Sequence, residues 1–252
     1  LSGIADYLGN KKFFLKLFCY VGSISCMSLY FFSLEDIIFS LITYLLALIG
    51  FWGSLVFYNS YLPDIAHKEQ QDKISAKGFS LGYIGSVILL LICLAMVMMV
   101  EETQAIQMMK YSFLLVGIWW IGFSQYTYYY LPDNKNSNKM HKNVIFNGFR
   151  ELLKVWHQIK NILPLKRYLA AFFVYSMAVQ TIMIIAAYFG EKEVQWGSDS
   201  KRTTGLIISI LVIQLVAVFG AWITSKLVEK FGNIKVLMLL NFLWILICTY
   251  AY

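Results

Sequence analysis

Charge is scarce in this sequence: Asp, Glu, Lys and Arg make up 14% of its 252 residues, against about 25% in an ordinary soluble domain. With 59% of positions hydrophobic, that deficit excludes a water-soluble globule. It also excludes a disordered chain, which needs low hydrophobicity and high charge. Proline is scarce too, at three residues, and the apolar residues come in long runs, which points to helices and not to a barrel of alternating strands. The four cysteines, Cys19, Cys26, Cys93 and Cys248, all lie inside those runs without metal-ligand spacing or a disulfide framework, so they read as small buried hydrophobes. His67, His141 and His157 are scattered, with no HExxH or comparable constellation. No catalytic residue, metal site or cofactor is therefore expected. What is there describes an all-α polytopic membrane protein.

A helix needs about 20 apolar residues to cross the hydrocarbon core. Seven stretches qualify: Phe13–Phe32, Ile37–Phe57, Phe79–Val100, Tyr111–Leu131, Tyr168–Phe189, Thr203–Thr224 and Ile234–Tyr252. None holds an Asp or Glu, and Lys16 sits near an end, where it can snorkel. Sorted by loop, seventeen of the 21 Lys and Arg fall on one side and four on the other, while the acids divide evenly. The side rich in cations is cytoplasmic by the positive-inside rule. The net charge of +7 is thus a topology signal, and a nucleic-acid partner is not expected.

Two copies of one tetrapeptide, Tyr61-Leu62-Pro63-Asp64 and Tyr130-Leu131-Pro132-Asp133, stand where a helix leaves the membrane on the cytoplasmic side. Proline stops the helix and tyrosine suits the interface. The non-cytoplasmic loops are expected to be short, Ser33–Asp36 and Glu101–Lys110. The segment from Pro132 to Arg167 is the longest connection. In it Ile145, Phe149, Leu152, Leu153, Trp156, Ile159 and Leu163 recur at steps of three and four, with Arg150, Glu151, Lys154, His157 and Lys160 on other faces. This spacing predicts an amphipathic helix of about 20 residues on the inner leaflet, with His157 solvated. It divides the chain into residues 1–131 with four spans, a linker 132–167, and residues 168–252 with three spans.

The first loop reads Gly3-Ile4-Ala5-Asp6-Tyr7-Leu8-Gly9-Asn10-Lys11-Lys12, and the loop after the sixth span reads Glu229-Lys230-Phe231-Gly232-Asn233-Ile234-Lys235. Both fit acid-x-x-Gly-Asn-x-Lys and hold equivalent places, the mark of an internal duplication common in secondary transporters. Here the sequence resembles the major facilitator superfamily, whose signature loop lies between its second and third helices. The resemblance implies a fold of two six-helix bundles with a pseudo-repeat. The seven spans become helices three to nine of twelve and the amphipathic linker becomes the central cytoplasmic loop. It further implies that Gly3, Asp6, Gly9 and Lys12 stabilise a cytoplasmic gate. Glu229 and Gly232 would do so in the second copy, which departs from the pattern with Lys226 where Gly3 would align. The chain opens at Leu1 in loop-like sequence, and the expectation is an internal piece of a longer protein.

A narrower resemblance rests on Phe57-Tyr58-Asn59-Ser60-Tyr61-Leu62-Pro63 and Ser75-Ala76-Lys77-Gly78-Phe79-Ser80-Leu81-Gly82-Tyr83-Ile84-Gly85, which are similar to the vacuole-effluxer-like subfamily. Its fungal members export amino acids from the vacuole during autophagy. The resemblance implies alternating-access transport of a small solute, amino acids among the candidates, by a monomer in the lipid bilayer. The membrane would be the inner membrane of a bacterium or the vacuolar membrane of a fungus.

Within the spans, Gly78, Gly82 and Gly85 line one helix face at i, i+4 and i+7, where small residues allow close helix approach, static or sliding. Ser75 is read as the cap before that helix. Polar residues near the midplane are the candidates for the solute pathway, because leaving them unpaired in lipid is costly. They are Tyr44, Ser86, Tyr175, Gln180, Thr181 and Gln214, with Thr43 and Ser209 beside them; interhelical hydrogen bonding is the competing role, for Gln214 above all. By the resemblance, the second and fifth spans line the cavity, which favours Tyr44 and Gln180. The aromatic cluster Trp119, Trp120, Tyr126, Tyr128, Tyr129 and Tyr130 reads as interfacial belt and core filler. The spans lack a central Asp, Glu or His. Either a coupling ion is handled by helices outside this chain, or transport is not proton-coupled. The rival readings are a receptor or scaffold on the same fold and an integral membrane enzyme, for which no constellation is present.

Overall fold

In the computed structural model of the chain, residues 10–132, 144–197 and 199–251 are described. Eight long helices follow in order: α1 (Lys11–Ser28), α2 (Ile37–Asn59), α3 (Gln71–Met98), α4 (Glu102–Tyr130), α5 (Val144–Asn161), α6 (Leu163–Lys192), α7 (Asp199–Phe231) and α8 (Asn233–Ala251). There is no strand among the described residues. Seven of the described helices, all but α5, are long and apolar enough to cross a membrane, and they coincide with the seven stretches expected from the sequence.

Several helices outrun their apolar stretch. The 33 residues of α7 make about 50 Å at 1.5 Å per residue, against about 30 Å of hydrocarbon. Helix α3 starts two turns before Phe79, so Ser75 lies inside the helix; Gln70, at the helix start, makes no side-chain cap bond. That corrects the expected cap. The expected loop Glu101–Lys110 is likewise mostly helical, because α4 begins at Glu102. Gln104, Ala105, Gln107 and Met108 are good helix formers, and leaving the membrane does not oblige a helix to stop.

Helices stop where local chemistry requires it. Helix α2 ends at Asn59, four residues before Pro63, whose ring would clash with the carbonyl four positions back. Helix α4 ends at Tyr130, just before Leu131-Pro132. The two tetrapeptide copies share this stop but not their surroundings. After the first, a one-turn helix Leu62–Ile65 forms with Pro63 in its first turn, and Tyr61 is fully buried at 1% exposure, while Tyr130 is 65% exposed. Only Tyr130 fits the interfacial position expected for both. At the corner between α7 and α8, Gly232 adopts φ +83° and its N–H returns to the Val228 carbonyl at 2.8 Å. This left-handed helix ending favours glycine.

The described residues divide into two compact units. One holds those up to Tyr58 with those from Met109 to Leu206; the other holds Asn59–Met108 with those from Ile207 onward. In the first unit α1 is the best buried span. Asn10 caps it, its Oδ1 accepting the Phe13 N–H at 3.1 Å. Helices α1 and α2 run antiparallel. Phe57 stacks on Phe14 and Phe18 with centroids 5.6 and 5.8 Å apart, and Gly22 meets Gly50 so closely that a Cβ on Gly50 would overlap the Gly22 backbone. The buried Ser40 hydroxyl ties the connecting turn, lying 3.2 Å from the Ser33 carbonyl and 3.1 Å from the Asp36 carbonyl.

Helix α4 lies antiparallel to α1 on another side, and their contacts form a ladder. The Lys16 ammonium sits 5.3 Å from the centre of the Tyr128 ring. Gln125 Nε2 donates to the Tyr20 hydroxyl at 3.1 Å. The Trp120 ring packs on Gly22, and Gly117 on Met27 and the Ser23 carbonyl. Tyr30 reaches Tyr111 at 5.3 Å. Lys16 thus has an aromatic partner inside the protein, which helps it sit near a span end. Of the aromatic cluster, Tyr128 is buried and Tyr126, Tyr129 and Tyr130 are exposed.

Helix α5 spans 18 residues, close to the expected length. The polar side carries His157, whose Nδ1 lies 2.9 Å from the Leu153 carbonyl of its own helix. Ile162, with non-helical φ −109° and ψ 87°, is the single residue between α5 and α6, and Pro164 stands in the first turn of α6.

Candidate functional site

In the second unit α3 and α7 meet through two of the six pathway candidates. The Ser86 hydroxyl donates to Gln214 Oε1, and it also lies 3.0 Å from the Tyr83 carbonyl of its own helix. Both side chains are half-buried. A hydroxyl has one proton, so the two contacts alternate unless the Gln214 amide turns its NH2 toward Ser86. In either arrangement the serine and the glutamine answer each other's polarity in an apolar span, as an interhelical clasp does.

Below the clasp, toward the end that carries Lys73 and Lys226, α3 and α7 line a groove of about 390 Å³. Helix α7 lines it with small residues, Ala217, Gly220 and Ala221, and α3 with Phe79 and Tyr83; Asp72, Ser75, Thr224 and Ser225 add polar groups. At the surface, Asn233 Nδ2 donates to Asp72 Oδ2 at 3.4 Å. Asn233 is the asparagine of the second acid-x-x-Gly-Asn-x-Lys copy, so that loop is tied to the start of α3.

The other pathway candidates are not gathered. Tyr44 is exposed, next to a buried Thr43. On α6, Tyr175 is half-buried while Gln180 and Thr181 are exposed, and at about 100° per residue the three point in different directions. Thr181 Oγ1 donates to the Met177 carbonyl at 2.8 Å, within its own helix.

Of the gate residues, Gly3, Asp6 and Gly9 lie outside the described residues. Lys12 is described: its Nζ donates to the Leu131 carbonyl at 2.9 Å. That carbonyl lies just past the last turn of α4, where helix carbonyls lack partners and the macrodipole favours a cation. Glu229 is exposed in the last turn of α7, and Gly232 forms the corner already described. Lys226, standing where glycine would align, lies 3.9 Å over the Trp222 ring.

Gly78 is half-buried in α3. A Cβ on Gly82 or Gly85 would meet nothing within 4 Å. Among the described residues, close helix approaches are made by Gly22, Gly50, Gly53 and Gly117. Glycines inside apolar runs were the available signal for these. Sequence reasoning also missed Trp196, whose indole N–H donates to the Gly190 carbonyl at 2.7 Å and whose ring lies against Gly205, tying the ends of α6 and α7 together. Among the described residues no group of three His, Cys, Asp or Glu side chains could hold a metal ion.

A family model described as vacuole effluxer Atg22 like matches residues 1–252. The chain is similar to the uncharacterised MFS-type transporter YxiO of Bacillus subtilis, 31% identical over 261 residues that cover all of this chain and 58% of that protein. It is similar to autophagy-related protein 22-1 of Aspergillus niger, 27% identical over 168 residues, 64% of this chain and 26% of that protein. Autophagy-related protein 22-2 of Neosartorya fischeri is 21% identical over 277 residues, 79% of this chain and 45% of that protein. The chain thus spans 58% of the bacterial relative's length and less than half of each of these fungal ones. No solved structure matches.

Proposed function

Since the chain belongs to the vacuole effluxer Atg22-like family, we propose that the protein it comes from is a secondary transporter moving a small solute, with amino acids as the first class to test, by alternating access. The observation that carries this reading is the family match across residues 1–252 in a chain with seven described helices long and apolar enough to cross a membrane. It is an integral multi-pass membrane protein of the major facilitator type. In the proposal, residues 1–131 and 168–252 contribute to two six-helix bundles joined by the linker 132–167, and the active form is a monomer.

Tyr44 and Gln180, both exposed on α2 and α6, face the solute in this reading, and Tyr175 and Thr181, on other faces of α6, are secondary candidates. Ser86 and Gln214 form the clasp between α3 and α7 and meet solute only when that clasp opens. The first-loop residues Gly3, Asp6, Gly9 and Lys12 hold one gate state, and Glu229 and Gly232 hold its counterpart, which the Asn233–Asp72 hydrogen bond supports. Gly78, Gly82 and Gly85 give α3 a smooth face for a moving neighbour. A coupling ion, if used, binds outside the spans of this chain, which hold no acid or histidine near the midplane.

Counterflow of labelled amino acids into proteoliposomes containing the full-length protein is the test. Saturable counterflow that falls in Gln180→Ala supports the reading. Absence of saturable exchange across a broad amino-acid panel overturns the substrate class, and unchanged transport in Tyr44→Phe and Gln180→Ala removes those residues from the pathway.

A further inference from the structure

Helix α5 is tied by a short connection to the start of a helix long and apolar enough to span. Ile162 alone stands between it and α6, whose early turns carry Lys166 and Arg167. At about 100° per residue, Phe149, Leu152, Leu153, Trp156 and Ile159 fall within an arc of roughly 120°. Phe149 and Trp156 are 61% and 59% exposed. Beside that arc, on the Leu153 side, His157, Arg150 and Lys154 follow within roughly the next 100°, and all three are exposed. Lys160 lies over the apolar arc in the last turn, where its stem covers apolar surface and its ammonium reaches outward. From Val144 to Arg167 the chain carries five Lys and Arg against Glu151.

An apolar arc with a cationic flank, joined to the start of a spanning helix, matches an anionic leaflet: the arc enters the acyl boundary and the flank meets headgroup phosphates. We infer that α5 lies on the cytoplasmic leaflet with Phe149, Leu152 and Trp156 in the acyl boundary and Arg150 and Lys154 on anionic lipid headgroups, so that the linker is a tether sensitive to lipid composition. The inference rests on the spans and on α5, and stands whichever solute is moved.

The test uses the full-length protein with its native cysteines replaced and spin labels placed one at a time from Phe149→Cys to Ile159→Cys. It is reconstituted in phosphatidylcholine vesicles with and without phosphatidylglycerol. The expected result is oxygen accessibility peaking at 149, 152 and 156, accessibility to a water-soluble nickel chelate peaking near 150, 154 and 157, and deeper labels when phosphatidylglycerol is present. Arg150→Gln and Lys154→Gln should each lower the anionic-lipid preference about fivefold while the periodicity persists in the variant. Labels at 149, 152 and 156 shielded from both reagents would show the arc packed on protein and overturn the inference. Equal docking in neutral and anionic vesicles would overturn the headgroup contact.

Discussion

Replacing Gly50 by alanine forces α1 and α2 apart, and no side-chain adjustment can prevent it. The new methyl would fall on the Cα and N of Gly22 and 2.9 Å from the Phe18 carbonyl oxygen. Every one of these atoms is backbone, so the helix as a whole must move, by about 1 Å, to restore ordinary contact near 3.5 Å. That displacement loosens the Phe14–Phe57 and Phe18–Phe57 stacks, and in lipid such packing is what holds helices together. Overpacking costs about 1–3 kcal/mol, and a clash made wholly with backbone belongs at the upper end; alanine returns up to about 1 kcal/mol of helix propensity, for a net loss of about 2 kcal/mol. The neighbouring glycines rank below it. A methyl on Gly22 meets the Trp120 ring and, at 3.2 Å, the Gly50 carbonyl carbon; one on Gly53 meets the Phe18 ring. Equilibrium unfolding of the full-length protein in mixed detergent–SDS micelles gives the three costs. Trimming Phe18→Leu should rescue most of Gly53→Ala, Trp120→Leu part of Gly22→Ala, and neither should rescue Gly50→Ala. The reasoning fails if Gly50→Ala costs under about 0.5 kcal/mol, or if Phe18→Leu restores it.

Gly232→Ala should cost about 1–2 kcal/mol, because its φ of +83° places a Cβ against the following carbonyl; Gly232→Asn should cost less, and the same unfolding midpoints decide. Lys12→Met should lose about 1–2 kcal/mol and speed amide exchange in the last turn of α4, while Lys12→Arg keeps the charge and most of the protection. For the clasp, Ser86→Ala and Gln214→Leu should each destabilise, and their double-mutant cycle should return a coupling of about 0.6 kcal/mol, up to about 1.7. A coupling of zero would mean the two side chains do not bond in the folded protein.

The spans were legible because crossing a membrane constrains composition, and composition is local. The linker helix was legible for the opposite reason: it alone among the long helices has one face unlike the other. Which helix meets which was not legible. Lipid is as apolar as a protein core, so a spanning helix needs no polar face toward its surroundings, and its sequence does not mark the side that packs. Hence Gly78, Gly82 and Gly85 stand out by spacing, although Gly82 and Gly85 have open space at their Cβ positions, while Gly22 and Gly50, isolated in their own runs, meet backbone against backbone. Ser86 and Gln214 were visible one by one as polar residues in apolar spans. Their partnership spans 128 residues, and no local pattern carries it.

The repeated acid-x-x-Gly-Asn-x-Lys loop shows how a family motif can hold two kinds of information. Asn10 caps α1, Lys12 bonds the end of α4, Gly232 turns the chain from α7 into α8, and Asn233 bonds Asp72. These positions have local structural work that would preserve them without any gate. Among the described residues the acid of the second copy, Glu229, shows no bond of that kind and is exposed on the last turn of α7. It therefore separates the two roles. Glu229→Gln should leave unfolding within about 0.5 kcal/mol of the parent, as exposed surface charges do. If the loop latches a gate, the same change should raise the rate at which cysteines placed in the α3–α7 groove, such as Ala76→Cys, react with a membrane-impermeant reagent from the cytoplasmic side. Unaltered reactivity together with unaltered stability would leave the motif as a device for building corners, and the latch role would fall.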